Sequence, residues 1–225
     1  MLWIEDLSIG YAGKAIANGI SAEFESSLLV ALIGRNGKGK STLLRTIAGL
    51  QSPIKGNIRI GNRNISDLSR KEMATTVGIV LTQMPESLNI TVSELVALGR
   101  TPYLGMMGKL SADDRSIVED AIAMVGIATL KDRKLSTLSD GERQKAMIAK
   151  TLAQQTDIIL LDEPTAFLDF QSKIDLFRLL ANLAHDQGKV IILSTHDLNL
   201  ATRLSDRLWQ IDDEPVITDE IKAFL

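Results

Sequence analysis

Short apolar runs alternate with helical patterns along the chain. Continuous apolar runs bounded by turn residues occur at Leu28–Ile33, Ile158–Leu161 and Val190–Leu193. A run of this length with no polar position is typical of a strand covered on both faces, as in a parallel sheet. Alternation of such strands with helices predicts an α/β fold.

The first third of the chain carries a different pattern. Leu2–Phe24 mixes β-compatible residues with turn signals, which predicts antiparallel strands and hairpins. Asn57–Ile65 predicts a further short strand pair.

The middle of the chain is mainly helical in pattern. Glu94–Leu98 and Ala112–Val125 have helical spacing, and Ser111 is a candidate N-cap. We therefore predict one domain, in which residues 84–135 form a helical subdomain. It is inserted into a core made of residues 1–83 and 136–225, with antiparallel strands at its N-terminal end.

Composition narrows the possible functions. The chain has 225 residues, of which 45% are hydrophobic and 24% charged, with a net charge of −3 and no cysteine. Disulfides and thiolate chemistry are excluded, and the absence of a basic stripe argues against nucleic-acid binding. The longest apolar run, Leu28–Ile33, is far shorter than the roughly 20 residues that span a bilayer. Any membrane role is therefore expected to act through a partner.

A glycine loop is the strongest local motif. Residues 34–42 match G-x-x-x-x-G-K-[ST], directly after the strand Leu28–Ile33 and before a helix predicted from about Lys40 to Ala48. Glycines let backbone N–H groups approach phosphate oxygens, and the helix N-terminus adds positive potential. The predicted phosphate-binding residues are Gly34, Arg35, Asn36, Gly37, Lys38, Gly39, Lys40, Ser41 and Thr42.

Individual side chains of this loop have distinct expected roles. Lys40 supplies charge to the β- and γ-phosphates of a nucleotide, and the Ser41 hydroxyl is a candidate Mg²⁺ ligand. Lys38 either adds charge near the phosphates or points to solvent, and we favour solvent. The alternative for the whole motif is an ordinary glycine-rich turn between a strand and a helix.

Two acids end the strand Ile158–Leu161. Buried charge is costly unless it is paired or bound to metal, and ligands of open α/β folds lie at the C-terminal ends of the strands. Asp162 is therefore expected beside the glycine loop in the Mg²⁺ shell, with Glu163 orienting or deprotonating water. The alternative is a strand that simply reaches solvent and turns at Pro164. His196 follows another strand end and either reaches the γ-phosphate or is a solvated loop residue.

A capping box begins the helix predicted to run to about Gln154. Ser139 and Glu142 have S-x-x-E spacing, which predicts a capping box. The helix start is then a second anion site, with the Ser139 hydroxyl and the Gly141 N–H exposed. The alternative is a plain helix cap.

The ordered set of motifs resembles the nucleotide-binding domain of ATP-binding cassette (ABC) transporters. The motifs that carry the resemblance are Gly34–Thr42, Gln83, Leu138–Gln144, Ile158–Thr165, Asp169 and His196. The resemblance extends from Tyr11 to about Asp212. It implies an Mg²⁺-dependent ATPase, and it favours the functional interpretation of His196.

The resemblance also implies a role for each matching residue. Tyr11 would stack on adenine, Gln83 would contact Mg²⁺ and the attacking water, and Asp162 would support Mg²⁺. Glu163 would be the catalytic base, and His196 the switch histidine.

Dimerisation follows from the same resemblance. Asp169 would communicate across a dimer, and Ser139, Gly141 and Glu142 would cap the ATP of a second copy. The active form would be a head-to-tail dimer enclosing two ATP molecules. The family usually has L-S-G-G-Q at this signature, whereas Asp140 and Glu142 replace the first glycine and the glutamine here. We expect Asp140 to point outward.

A finer resemblance concerns the transported substrate. Val96–Tyr103 and Glu163–Gln171 are similar to ATPases of iron-chelate, haem and cobalamin importers. Such a protein would lie peripherally on the cytoplasmic face of a bacterial-type membrane. It would act with a multi-span permease and, indirectly, with an external substrate-binding protein.

Three alternatives compete with a transport ATPase. The first is a non-transport ABC ATPase such as an iron–sulfur assembly factor; DNA-maintenance members carry long coiled coils, and no sustained heptads occur here. The second is a small P-loop kinase or GTPase, which would have no use for Leu138–Gln144. The third is a non-catalytic ATP-switched module, against which Glu163 and His196 argue.

Overall fold

The computed structural model describes residues 1–82, 89–105, 108–211 and 216–218. Within these ranges the strands are β1 (Leu2–Tyr11), β2 (Lys14–Phe24), β3 (Leu28–Ile33), β4 (Lys55–Ile60), β5 (Arg63–Asn64), β6 (Val77–Val80), β7 (Ile158–Leu161), β8 (Val190–Ser194), β9 (Arg207–Gln210) and β10 (Val216–Thr218). The α-helices are α1 (Lys40–Ile47), α2 (Arg70–Thr76), α3 (Val92–Ala97), α4 (Ala112–Met124), α5 (Asp140–Ala153), α6 (Phe170–Asp186) and α7 (Leu198–Leu204).

The strands form two sheets of different kinds. Within the described residues, one sheet is antiparallel with the order β2-β1-β4-β5. The other has the order β10-β9-β3-β8-β7-β6, and all of its pairs are parallel except β10 with β9. The predicted α/β fold with an antiparallel N-terminal portion is confirmed.

The parallel sheet is buried on both faces, which explains its uninterrupted apolar strands. In β7, Ile159 and Leu161 belong to the core shared with α3, α4, α5 and α6. Ile158 and Leu160 belong to the core shared with α1 and the antiparallel sheet. Each of these four side chains is at most 1% exposed. Alternation along a strand sends neighbouring side chains to opposite faces, so both faces must be apolar.

The helical layer lies against one face of this sheet. Helix α5 packs on α3 and α4 and also contacts β6, so it joins the helical layer to the sheet. Ser111 caps α4 through a complete capping box with Asp114, as predicted for the cap. The boundaries 84–135 of a helical subdomain stay a prediction.

In the described ranges, no helix is both long and apolar enough to cross a membrane.

A buried arginine connects the start of α4 to the end of α5. Arg100 is 5% exposed, and its Nε donates a 2.8 Å hydrogen bond to Asp114 Oδ1. Its Nη1 donates to the carbonyl of Ala153 and to Oε1 of Gln155, both at 2.8 Å. The guanidinium carbon also lies 3.9 Å from the centre of the Tyr103 ring. Because these partners lie at the start of α4 and the end of α5, the pairings fix the two helices together.

Candidate functional site

The glycine loop connects β3 to α1 with left-handed backbone at its glycines. Gly37 and Gly39 have φ angles of +82° and +98°, and Gly34 has +151°. A Cβ atom at Gly34 would lie 2.3 Å from the carbonyl oxygen of Ile211, so the next strand end leaves no room for a side chain there. The loop conformation therefore requires glycine at these positions.

Lysine side chains lie close to this loop. Lys40 is only 5% exposed, and its Nζ donates hydrogen bonds to the carbonyls of Gly34 at 2.8 Å and Arg35 at 3.4 Å. Its ammonium group therefore lies over the loop, where a phosphate would be held. Lys38 is half-buried, and its orientation towards solvent or towards the phosphates stays a prediction.

The start of α1 meets the end of β7. The Ser41 hydroxyl donates a 2.9 Å hydrogen bond to Asp162 Oδ1, and Asp162 is 4% exposed. Asp162 Oδ1 also accepts a 2.8 Å hydrogen bond from the Ser194 hydroxyl. The Thr82 hydroxyl donates to the backbone carbonyl of Asp162 at 2.9 Å. The acid is thus held by the glycine-loop helix and by the strand ends on either side of β7.

The oxygen atoms of Ser41 and Asp162 form a pair that fits a magnesium ion. Mg²⁺ prefers oxygen ligands and usually takes one or two carboxylates together with substrate phosphates. In the described part of the chain there is no group of three or more His, Cys, Asp or Glu side chains that could hold a metal by themselves. The third predicted ligand, Gln83, lies outside the described residues.

Glu163 and His196 are in direct contact. His196 Nε2 forms a short hydrogen bond with Glu163 Oε1. Glu163 has a left-handed backbone with φ of +49°, and its N–H donates a 2.8 Å hydrogen bond to the Ser194 hydroxyl. Together with Thr165, Lys173 and Asp197, the two side chains line a cavity of about 240 Å³. The structure therefore brings the acid pair, the histidine and Ser41 into one cluster.

Tyr11, the aromatic residue predicted to stack on adenine, lies beside the glycine loop. Tyr11 is the last residue of β1 and is 50% exposed. The Thr42 hydroxyl donates a 3.1 Å hydrogen bond to the phenolic oxygen of Tyr11. The ring is thus tethered to the first turn of α1 while keeping exposed area for stacking.

The start of α5 forms the capping box that the sequence predicts. The Ser139 hydroxyl accepts a hydrogen bond from the Glu142 N–H, and Glu142 Oε2 accepts from the Ser139 N–H at 2.8 Å and its hydroxyl at 2.9 Å. These bonds, the backbone one first, lower the pKa of Glu142. Ser139 is exposed, as expected, and its hydroxyl takes part in the predicted capping box with Glu142. Gly141 is half-buried.

Asp140 and Asp169 hold positions at helix starts. Asp140 accepts a 3.3 Å hydrogen bond from Arg143 on its own helix, and its side chain is 60% exposed, which agrees with the outward orientation expected. Asp169 caps α6 by accepting hydrogen bonds from the Ser172 N–H at 2.9 Å and the Ser172 hydroxyl at 2.7 Å.

The start of α5 is separate from the glycine loop within one copy of the chain. Within the described residues, the hydrogen bonds of the Ser139 and Glu142 side chains do not reach the glycine loop.

Ser194 and Thr82 carry contacts that the sequence interpretation did not assign. Both follow or end strands adjacent to β7, since β6 and β8 pair with it in parallel. The rule that located Asp162, a polar residue at a strand's C-terminal end, would also have identified these two.

The fold and the glycine loop define a P-loop nucleotide-binding protein of the α/β class. Comparison with known proteins then identifies the family. The family model described as ABC transporter matches residues 17–166. The chain belongs to this family.

Relatives of known description are similar over nearly the full chain. An uncharacterised ABC transporter ATP-binding protein of Methanocaldococcus jannaschii is 40% identical over 96% of this chain and 75% of its own length. The ferric enterobactin transport ATP-binding protein FepC of Escherichia coli is 38% identical over 95% of this chain and 79% of its own length. Among solved structures, the dimeric bacterial ABC transporter cassette MJ0796 is 27% identical, with a TM-score of 0.80 and 95% of each chain covered.

Proposed function

We propose that this chain is the ATP-hydrolysing subunit of an importer, working as a head-to-tail dimer on the cytoplasmic face of a membrane. The observation that carries the proposal is the cluster at the glycine loop, where Ser41 contacts Asp162 and the adjacent Glu163 contacts His196. ATP is the substrate. Its phosphates would lie on residues 34–42, and its adenine on Tyr11.

Hydrolysis of ATP requires a general base for the attacking water, a hydrogen-bond donor to the γ-phosphate and positive charge beside the phosphates. Glu163 takes a proton from water, the water oxygen bonds to the γ-phosphorus, and the bond from the γ-phosphorus to the bridging oxygen breaks, leaving ADP and phosphate. His196 donates a hydrogen bond to the γ-phosphate, and Lys40 offsets its charge. Ser41, Asp162 and Gln83 would hold Mg²⁺, which when bound neutralises charge on the phosphate oxygens.

Dimerisation completes each site. The start of α5, with Ser139, Gly141 and Glu142, would close over the ATP held by the second copy, and Asp169 would contact that copy. Support comes from the dimeric cassette MJ0796. ATP binding would close the dimer and hydrolysis would reopen it, which transmits motion to a multi-span permease.

The proposed cargo is an iron chelate, haem or a cobalamin-like compound, delivered by an external substrate-binding protein. Similarity to FepC, a ferric enterobactin transport protein, supports the iron-chelate class. Co-purification from membranes followed by identification of the partner tests this. A multi-span permease is expected, and a soluble iron–sulfur assembly complex would contradict the transport role.

A Glu163→Gln variant tests the catalytic assignment. We expect turnover to fall about 10²–10⁴-fold, the range typical of a general base, while ATP binding and ATP-driven dimerisation persist. Glu119→Gln is the matched control, since Glu119 is an exposed glutamate of α4 paired with Lys131 at 3.7 Å. Full turnover by Glu163→Gln would overturn the assignment.

A further inference from the structure

One buried hydroxyl is bonded to both acids of the candidate site. Ser194 is the last residue of β8 and is fully buried. Its hydroxyl donates to Asp162 Oδ1 and accepts from the Glu163 N–H, each at 2.8 Å. A serine hydroxyl carries one donor and two acceptor positions, so both bonds exist together. The two neighbouring acids are therefore joined through the side chain of an adjacent strand.

The backbone of Glu163 needs this support. Its φ of +49° is a left-handed conformation that costs a side-chain-bearing residue energy and persists only where surrounding contacts hold it. The N–H of Glu163 is bonded to Ser194 instead of a strand carbonyl. In this left-handed conformation the Glu163 carboxylate forms its hydrogen bond with His196.

Asp162 is oriented by the same hydroxyl. Its Oδ1 accepts from Ser194 at 2.8 Å and from Ser41 at 2.9 Å. A carboxylate held by two hydroxyl donors from different elements has little rotational freedom. Ser194 thus links the glycine-loop helix, through Asp162, to the backbone of Glu163.

We propose that Ser194 is a positioning residue for ATP hydrolysis, which holds Glu163 in register with Asp162 and Ser41. This inference rests on the proposed function. The hydroxyl acts on the orientation of the base and not on nucleotide affinity, because its bonds reach the two acids and not the phosphate loop.

Ser194→Ala is the primary test, with the purified 225-residue chain and ATP plus Mg²⁺. We expect kcat to fall about 10–100-fold, the range for residues that orient a functional side chain through a hydrogen bond. The KM for ATP should change less than about threefold. Ser205→Ala is the matched control: Ser205 is another buried serine, directly after α7, and its hydroxyl donates to the carbonyl of Ala201 within that helix. The control should retain wild-type kcat.

Two further variants separate positioning from general loss of structure. Ser194→Thr keeps the hydroxyl and should recover most of the turnover; a threonine variant as slow as the alanine variant would overturn the proposal. In a Glu163→Gln background, Ser194→Ala should produce no further fall in residual hydrolysis, because both changes act on the same base. An additive fall, or a parallel loss of ATP binding, would contradict positioning.

The outcomes also distinguish this inference from the proposed function. If Glu163→Gln is inactive and Ser194→Ala has wild-type kcat, only the role of Ser194 fails. If Glu163→Gln retains full turnover, the proposed hydrolytic function fails.

Discussion

The Ser41 hydroxyl donates a 2.9 Å hydrogen bond to Asp162 Oδ1, although the two residues lie 121 positions apart in the sequence. Ser41 is in the first turn of α1, which follows β3, and Asp162 follows β7. Strand β8 lies between these two strands in the sheet. The contact therefore depends on parallel strands whose C-terminal ends meet at one edge.

Changing either proposed ligand should weaken the response to magnesium. We expect Ser41→Ala and Asp162→Asn each to need at least about tenfold more Mg²⁺ for half-maximal ATPase activity, because the first loses its hydroxyl oxygen and the second its negative charge. Titration of activity with Mg²⁺ at constant ATP measures this. Ser66→Ala, in an exposed turn where Ser66 bonds to Asn64, is the control. An unchanged Mg²⁺ requirement in both variants would contradict the ligand assignment.

Tyr11 should contribute to ATP affinity through its ring and not its hydroxyl. We expect Tyr11→Ala to weaken ATP binding by about 1–3 kcal/mol, the range for base–aromatic stacking, because the exposed ring is lost. Tyr11→Phe keeps the ring and loses only the hydrogen bond from Thr42, so its affinity should stay close to wild type. Fluorescence titration with a labelled ATP analogue measures both. Equal losses in the two variants would show that the hydroxyl dominates.

Glu142→Gln should strengthen ATP-driven dimerisation. Hydrogen bonds from the Ser139 backbone and hydroxyl hold the pKa of Glu142 below its usual value, so the side chain is a carboxylate at neutral pH. In the proposed dimer this negative charge would repel the triphosphate of the second copy. The repulsion between two unit charges is about 1 kcal/mol at 4 Å in water, equivalent to about fivefold in affinity.

The measurement for Glu142 is the ATP concentration that gives half-maximal dimer in a Glu163→Gln background, followed by light scattering. Asp140→Asn removes the same charge from the same helical turn, but its side chain is 60% exposed and pairs with Arg143. This control should change dimerisation little. A weaker dimer for Glu142→Gln would reverse the electrostatic argument.

Arg100 should be important for stability. Its buried guanidinium holds α4 to the end of α5 through Asp114 and the Ala153 carbonyl. Removing one member of a buried pair leaves the other without compensation, so Arg100→Met should lower the Tm by about 5–10 °C. Arg63→Met is the control, since the Arg63–Glu72 pair has side chains 55% and 44% exposed. Equal Tm changes for the two variants would contradict the role of burial.

Asp114 should give stability a specific dependence on acid. Hydrogen bonds from the Ser111 hydroxyl and N–H, and then from Arg100, lower its pKa to about 2. The unfolded value is about 4, so the stabilisation is complete above about pH 4 and is lost as pH falls towards about 2. The deficit of Asp114→Asn relative to wild type should therefore shrink from pH 5 to pH 3. Urea unfolding at several pH values measures this, and a deficit independent of pH would contradict it.

The sequence by itself determined the local elements, because their signals lie within a few residues. Apolar runs identified β3, β7 and β8, and the S-x-x-E spacing identified the start of α5. The predicted strand pair at Asn57–Ile65 is confirmed as β4 and β5, shifted by at most two residues at its ends. Short-range patterns of hydrophobicity and capping depend only on neighbouring residues, so one chain suffices to identify them.

The tertiary structure alone decided how these elements meet. Strands β8 and β9 lie on either side of β3, Arg100 is buried, and the Ser194 hydroxyl makes two hydrogen bonds. Each of these features depends on strand ends and helices that are distant in the sequence. Its place at the end of a parallel strand marks Ser194 as a candidate site residue, but no local pattern shows that its hydroxyl bonds to Asp162 and to the Glu163 N–H. Its role arises because parallel pairing puts it beside Asp162, and pairing of distant strands is settled by packing of the whole core.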